Sequence, residues 1–167
     1  MPKKALYLQP LIWTFIVLLF MGCIAHLAPP YDQAVLDELN WVNYASMELF
    51  AAMSGGTSPD SFTDREDKYN SLIGHLYALE IQAKARPVPK NVATQQINKL
   101  LSDRGVGNLD TSESPSAFAI SKVTETVLKM KDTDKKQGVT AVEVQAFKNQ
   151  VCIYMDQALT YENFLKR

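Results

Sequence analysis

Apolar residues recur at helical spacing along most of this chain. Tyr31, Val35, Leu39, Val42, Leu49 and Met53 are spaced by three, four or seven, and Leu36 and Phe50 widen the stripe. One face of a helix collects such positions, which predicts a long first helix over 31–54. Asp32 falls in its first turn, where a negative charge suits the helix dipole, and Gly55-Gly56 stops it. Tyr69, Leu72, Ile73, Leu76, Leu79 and Ala83 mark a second helix over 63–86. Thr63-Asp64-Arg65-Glu66 has the capping-box spacing at its start, and Pro87 and Pro89 end it.

Further on, Asn91 precedes a shorter stripe through Val92, Ala93, Ile97, Leu100 and Leu101, predicting a helix over 91–104. Ser114-Pro115 is a cap followed by proline at the first helical position, and Phe118, Ile120, Val123, Val127 and Met130 carry that helix over 115–131. The charged run Asp132 to Gly138 reads as a turn. Thr140-Ala141-Val142-Glu143 is a second capping box, opening a helix over 140–166 with Val144, Phe147, Val151, Tyr154, Ala158, Tyr161 and Leu165 on its face. No strand-like alternation competes. The pattern predicts an all-α, up-down four-helix bundle with one additional short helix, over 91–104, covering an end or side. Burying each Leu, Val or Phe contributes roughly 1.5–3 kcal/mol, so the stripes suffice without metal or disulfide.

The first thirty residues follow a different pattern. Lys3 and Lys4 precede an uncharged run from Leu11 to Met21, shorter than the roughly 20 residues needed to span a bilayer and arranged like a secretory signal. It ends in Phe20-Met21-Gly22-Cys23. This resembles the bacterial lipoproteins processed by signal peptidase II, with Phe20 where leucine is usual and Met21 larger than usual. The resemblance covers about the first 23 residues. It implies a diacylglyceryl thioether and an acylated amine on Cys23. Ile24, in place of Asp, implies sorting to the outer membrane of a Gram-negative envelope. Two alternatives stay open. Ordinary signal cleavage after Ala28 or Ala25 would put His26 or Cys23 at the −3 position, and Leu11 to Ala28 could stay as an uncleaved anchor. The expected organisation is a signal over 1–22, a tether over 23–30 stiffened by Pro29-Pro30, and a bundle domain over 31–167.

Charge and chemistry narrow the functional classes. The 17 basic and 18 acidic residues give a net charge of −1, and loss of Lys3 and Lys4 leaves −3. No basic stripe suggests nucleic acid. The two histidines, His26 in the tether and His75 on the flank of its helix, are too few for a metal centre, and no cofactor motif occurs, so neither metal nor cofactor is expected. Cys152 has no disulfide partner once Cys23 is lipidated and is expected as a small buried hydrophobe. Asp64, Glu66 and Asp67 read as a solvated helix start. The Gly-bearing Ser54-Gly55-Gly56-Thr57 and Gly105-Val106-Gly107 follow no strand and read as turns.

One feature exceeds this description. Trp41 and Tyr44 project from the first helix away from Val35, Leu39 and Val42, with Ala45 and Ala52 nearby. Either the 91–104 helix packs over them, or they form a partner-binding surface, since exposed Trp and Tyr are typical interface anchors. Ile153 and Phe164 likewise fall off the main face of the last helix. The expected function is therefore a non-enzymatic, lipid-anchored, periplasm-facing bundle that binds or scaffolds another envelope protein. The alternative is a bundle that binds a small apolar ligand between its helices.

Overall fold

The structure is a computed structural model that describes residues 29–86 and 113–166. Cys23, His26 and the predicted 91–104 helix lie outside the described residues. Four helices account for nearly all of them: α1 Gln33–Ala52, α2 Thr63–Ala85, α3 Pro115–Gln137 and α4 Ala141–Leu165, with a 3₁₀ turn at Pro59–Ser61. No strand occurs among the described residues, and the protein is all-α.

The helices form a ring in which each packs on its neighbours in sequence and α1 closes against α4. Cross-links establish the antiparallel order. Glu48 meets Lys68 at 3.5 Å and Glu38 meets His75 between α1 and α2. Glu66 meets Lys135 at 3.8 Å, while Lys84 meets Glu113 at the opposite end of α2. The bundle thus has a loop end, carrying residues 53–62 and 138–140, and an entry end, where Pro30, Arg86, Ser114 and Glu162 gather.

The predicted stripes on α1, α2 and α3 become the core, except that Phe118, expected on the α3 stripe, is half exposed, and Tyr31 precedes α1 and is only partly buried. Val35, Leu39, Val42, Leu49, Met53, Tyr69, Leu72, Leu76, Leu79, Ile120, Val123, Val127 and Met130 are all essentially inaccessible. Buried hydroxyls return their protons to the preceding helical turn: Ser46 to the Val42 carbonyl at 2.6 Å and Thr124 to the Ile120 carbonyl at 3.0 Å. This pairs both hydroxyls inside the apolar interior.

Helix boundaries follow local chemistry, with corrections. Asp32 is the cap of α1 rather than part of its first turn, accepting from the Ala34 amide at 2.9 Å. The Ser114 cap and the Thr140–Glu143 capping box both form. The box expected at Thr63 does not: Phe62 occupies the cap position, and Thr63 is already helical. The 3₁₀ turn delivers the chain into α2 with Phe62 buried against Tyr69, ring centroids 6.1 Å apart.

The larger correction concerns Asp132 to Gly138, expected as a turn. α3 continues through it to Gln137, because Asp134 lies one turn after Met130 on the buried face. Its carboxylate, wholly inaccessible, receives Arg65 in a two-pronged pair, Nε to Oδ2 at 3.0 Å and Nη2 to Oδ1 at 3.0 Å. Thr57 Oγ1 donates to Oδ1 at 2.5 Å. The Val139 amide donates to Thr57 Oγ1 at 2.9 Å, and the Thr57 amide donates to the Val139 carbonyl at 2.8 Å. One carboxylate thereby ties both loops together. Gly138 makes the close approach feasible: its φ is +74°, and a Cβ there would collide with the Thr57 carbonyl oxygen.

α4 also turns differently from expectation. Its buried positions are Val144, Val151, Met155, Ala158 and Glu162, so the face is rotated toward Met155 and Glu162. Phe147 and Tyr154 are only partly buried. Cys152, one residue past Val151 and so about 100° around the helix, is exposed rather than buried.

Burial pushes the Tyr69 phenol far above its ordinary value of 10, and the nearby Asp134 carboxylate pushes the same way. Its hydroxyl instead donates to Met53 Sδ at 3.3 Å. Below pH 10 the phenol is neutral in folded and unfolded chains alike, and folding loses nothing to it. Above pH 10 the unfolded chain releases the proton while the folded chain retains it. Stability is therefore expected to fall with rising pH by up to about 1.4 kcal/mol per unit for this one group. Urea titrations at a series of alkaline pH values should show a shallower decline for Tyr69→Phe than for the parent protein.

Candidate functional site

Trp41 and Tyr44 share the outer side of α1. The Val35–Leu39–Val42 stripe faces the core, which leaves positions 41 and 44 for the opposite side. Trp41 is 40% exposed and Tyr44 71%. Trp41 leans over the seam between α1 and α2, where its ring meets the His75 imidazole with centroids 3.8 Å apart and planes inclined by 31°. His75 Nδ1 in turn contacts Glu38 Oε1 at 2.5 Å. The flank position read for His75 is thus its place in the fold, and its neighbours are an indole and a carboxylate from α1.

Beside this stack lies a shallow groove of about 270 Å³, bordered by Trp41 and Ala45 of α1 and by Asp67, Lys68 and Ser71 of α2. That is below the roughly 300–1,000 Å³ typical of small-molecule sites. Of these residues only the indole of Trp41 is of a type enriched at protein contacts, and the charged and small residues around it suit a polar rim. The acidic residues at the start of α2 are accordingly not only a solvated helix start, since Asp67 edges the groove.

A second, larger concavity of about 740 Å³ opens at the loop end among Gly55, Thr57, Ser58, Arg65 and Thr140. Its one cation, Arg65, already spends its donors on Asp134 and on Ser61 Oγ at 3.1 Å. The Glu143 amide at the start of α4 is capped by Thr140, which holds the Glu143 carboxyl below the usual carboxylate range through backbone and side-chain hydrogen bonds. These contacts use internally the groups with which a ligand would bind.

Sequence reasoning missed the buried ion pair at the entry end. Arg86, expected merely as the last residue of its helix, is its C-cap and is buried. Arg86 Nη1 donates to Glu162 Oε1 at 2.7 Å and Nη2 to the Pro30 carbonyl at 2.8 Å. Glu162 is fully inaccessible. Burial raises the neighbouring Tyr161 phenol above its ordinary value, with the Glu162 charge adding to this and Arg86 opposing it. The only signal in the sequence is that Glu162 follows Val151, Met155 and Ala158 at helical spacing, a charge placed on an apolar stripe. Cys23, the expected lipidation site, lies outside the described residues. No group of three or more His, Cys, Asp or Glu among the described residues is arranged to hold a metal ion.

Comparison with known proteins adds no relative: no family model, no curated protein and no solved structure matches this chain.

Removing one member of a buried ion pair strands the other charge and costs about 3–5 kcal/mol, whereas replacing both by apolar residues is often neutral. Glu162→Met alone should therefore lower the denaturation midpoint strongly. Arg86→Met combined with Glu162→Met should recover most of the loss, as read from urea unfolding followed by circular dichroism.

Proposed function

We propose that this protein is a lipid-anchored, envelope-facing helical module that binds a partner protein through Trp41 and Tyr44 and performs no catalysis itself. The observation that carries the reading is the indole of Trp41, held by His75 on the seam between α1 and α2 yet substantially exposed, with Tyr44 beside it. Exposed aromatics cost solvation unless something covers them, and Trp and Tyr are the residues that most often anchor protein contacts. A rigidly held ring loses little conformational entropy on binding. The apolar-ligand alternative gains no comparable support. The two concavities described above are open to solvent at the surface, and side chains fill the described axis of the bundle.

The membrane address rests on the lipobox-like Phe20-Met21-Gly22-Cys23. No helix among the described residues is long and apolar enough to cross a membrane, so attachment would come from the N-terminal segment. Multiple acyl chains give stable anchoring where a single chain gives only marginal binding. Outer-membrane sorting, as Ile24 implies, is part of this proposal.

Two experiments test it. Crosslinking in native envelopes followed by mass spectrometry should recover one partner with the parent protein and lose it with Trp41→Ala. The melting temperature of that variant should stay within a few degrees of the parent, as expected for a half-exposed side chain; a large drop would instead make Trp41 a packing residue. Separately, Cys23→Ala should abolish incorporation of labelled palmitate and release the protein from the membrane fraction. Unchanged labelling and fractionation would eliminate the anchor.

A further inference from the structure

The two ends of the bundle differ in what they show to solvent. Ile81 lies four residues before the end of α2, Phe118 in the first turn of α3, and Phe164 next to the last residue of α4. At 1.5 Å per residue, all three sit within about 6 Å of the entry end along their helices. Each is about half exposed or more. At the loop end, the large apolar side chain comparably placed among the described residues is Val142 alone.

Cations accompany the rings at the entry end. The Lys122 ammonium lies 5.7 Å from the Phe118 ring centroid, and that of Lys166 lies 6.0 Å from Tyr31. An aromatic body with a lysine reaching past it suits a membrane interface, where the ring enters the boundary layer and the ammonium meets phosphate. The end carries no excess of cations: Glu125 pairs with Lys122, Glu80 and Glu113 share Lys84, and Asp32 caps α1. Apolar contact rather than net charge would therefore drive any attraction to lipid.

The chain itself leaves from this end. Pro29 is buried, and Arg86 holds the Pro30 carbonyl, so the N-terminal segment departs from a set point. From Cys23 to Pro29 is six residues, at most about 22 Å when fully extended. The helices, of 20 to 25 residues, run roughly 30–38 Å. The leash is shorter than the body it holds.

We propose that the entry end is a lipid-facing surface, with Ile81, Phe118 and Phe164 dipping into the interfacial layer of the bilayer that anchors the chain. The inference rests on the membrane attachment proposed above. It sets the direction of the molecule: the loop end points away from the membrane, and Trp41 and Tyr44 stand to the side, within a helix length of the lipid. Because apolar contact rather than cationic charge would drive it, contact should persist on zwitterionic lipid and at high salt.

The test uses full-length protein, processed by the cell and extracted from membranes, then reconstituted in phosphatidylcholine vesicles. With Cys152→Ala removing the exposed thiol, a nitroxide is placed through Phe118→Cys, Phe164→Cys or Val142→Cys. Power-saturation spectroscopy then compares accessibility to oxygen, which partitions into lipid, and to a water-soluble nickel chelate. The expected result is an oxygen-to-nickel ratio several-fold higher at 118 and 164 than at 142, unchanged in high salt. Labels at 118 and 164 as accessible to nickel as that at 142 would overturn the inference. Labels shielded from both reagents would report a protein contact at this end, and would overturn it too. Mass spectrometry of the same sample reads the Cys23 lipid independently. Lipid on Cys23 with water-exposed labels removes the orientation and leaves the anchor. Immersed labels without that lipid remove anchoring through Cys23 and leave the orientation, as an uncleaved hydrophobic segment would place the same end at the bilayer.

Discussion

The buried carboxylate of Asp134 is the constraint that orders the loop end. A charge removed from water costs several kcal/mol unless its hydrogen-bonding capacity is met. Here it is met from two places remote in the chain from α3: the guanidinium of Arg65 on α2 and the hydroxyl of Thr57 in the loop after α1. Only one relative placement of α2, α3 and the loop after α1 delivers both. The same Thr57 hydroxyl receives the Val139 amide, so the start of α4 is tied to the same point. Packing of apolar stripes alone would tolerate sliding by a turn; this network does not. Its contribution is better described as selecting one register than as adding net stability.

At the opposite end, Arg86 and Glu162 form a second buried pair and add the chain entering at Pro30, but it is less fully satisfied: Arg86 Nε and Glu162 Oε2 are buried without a hydrogen-bond partner. Charge is thus buried where helices terminate, while the middle of the bundle is filled by Leu, Val, Ile, Met and Tyr69. This division assigns different roles to different surfaces. The loop end is self-satisfied, its cation and the Glu143 amide already engaged. The entry end carries exposed phenyl and aliphatic groups. The flank between α1 and α2 carries the indole of Trp41 on the His75 ring. A module met by lipid at one end and by a protein on its side accounts for both exposed groups with one orientation.

Particular residues show how far sequence reasoning reaches. The stripe from Val35 to Met53, and that from Tyr69 to Ala83, were legible because helix periodicity is a local property, and a helix that buries one face must repeat it every turn. The Thr140–Glu143 box and the Ser114 cap were legible for the same reason, their partners lying within three residues. The box at Thr63 was legible but did not form, because burial of Phe62 against Tyr69 claimed the cap position. Asp134 was misread because a charged residue within a polar run looks solvated, and Glu162 was passed over although it falls on an apolar stripe; nothing local announces a partner 69 or 76 residues away. Cys152 was misjudged by one residue of helix rotation, which the wide apolar arc of α4 left undetermined. For the candidate surface, the outward direction of Trp41 and Tyr44 followed from periodicity, whereas the stack on His75 required two helices to meet.

What the sequence by itself determined is therefore the inventory: four long amphipathic helices and an all-α bundle. Those features arise from interactions between residues at most a few turns apart. Only the tertiary structure decided which carboxylates are buried, how α4 is rotated, how far α3 extends, and which aromatics remain at the surface. Those outcomes depend on pairings across the bundle, where the cost of burying a charge or exposing a ring is set by groups that are remote in the chain and adjacent in space.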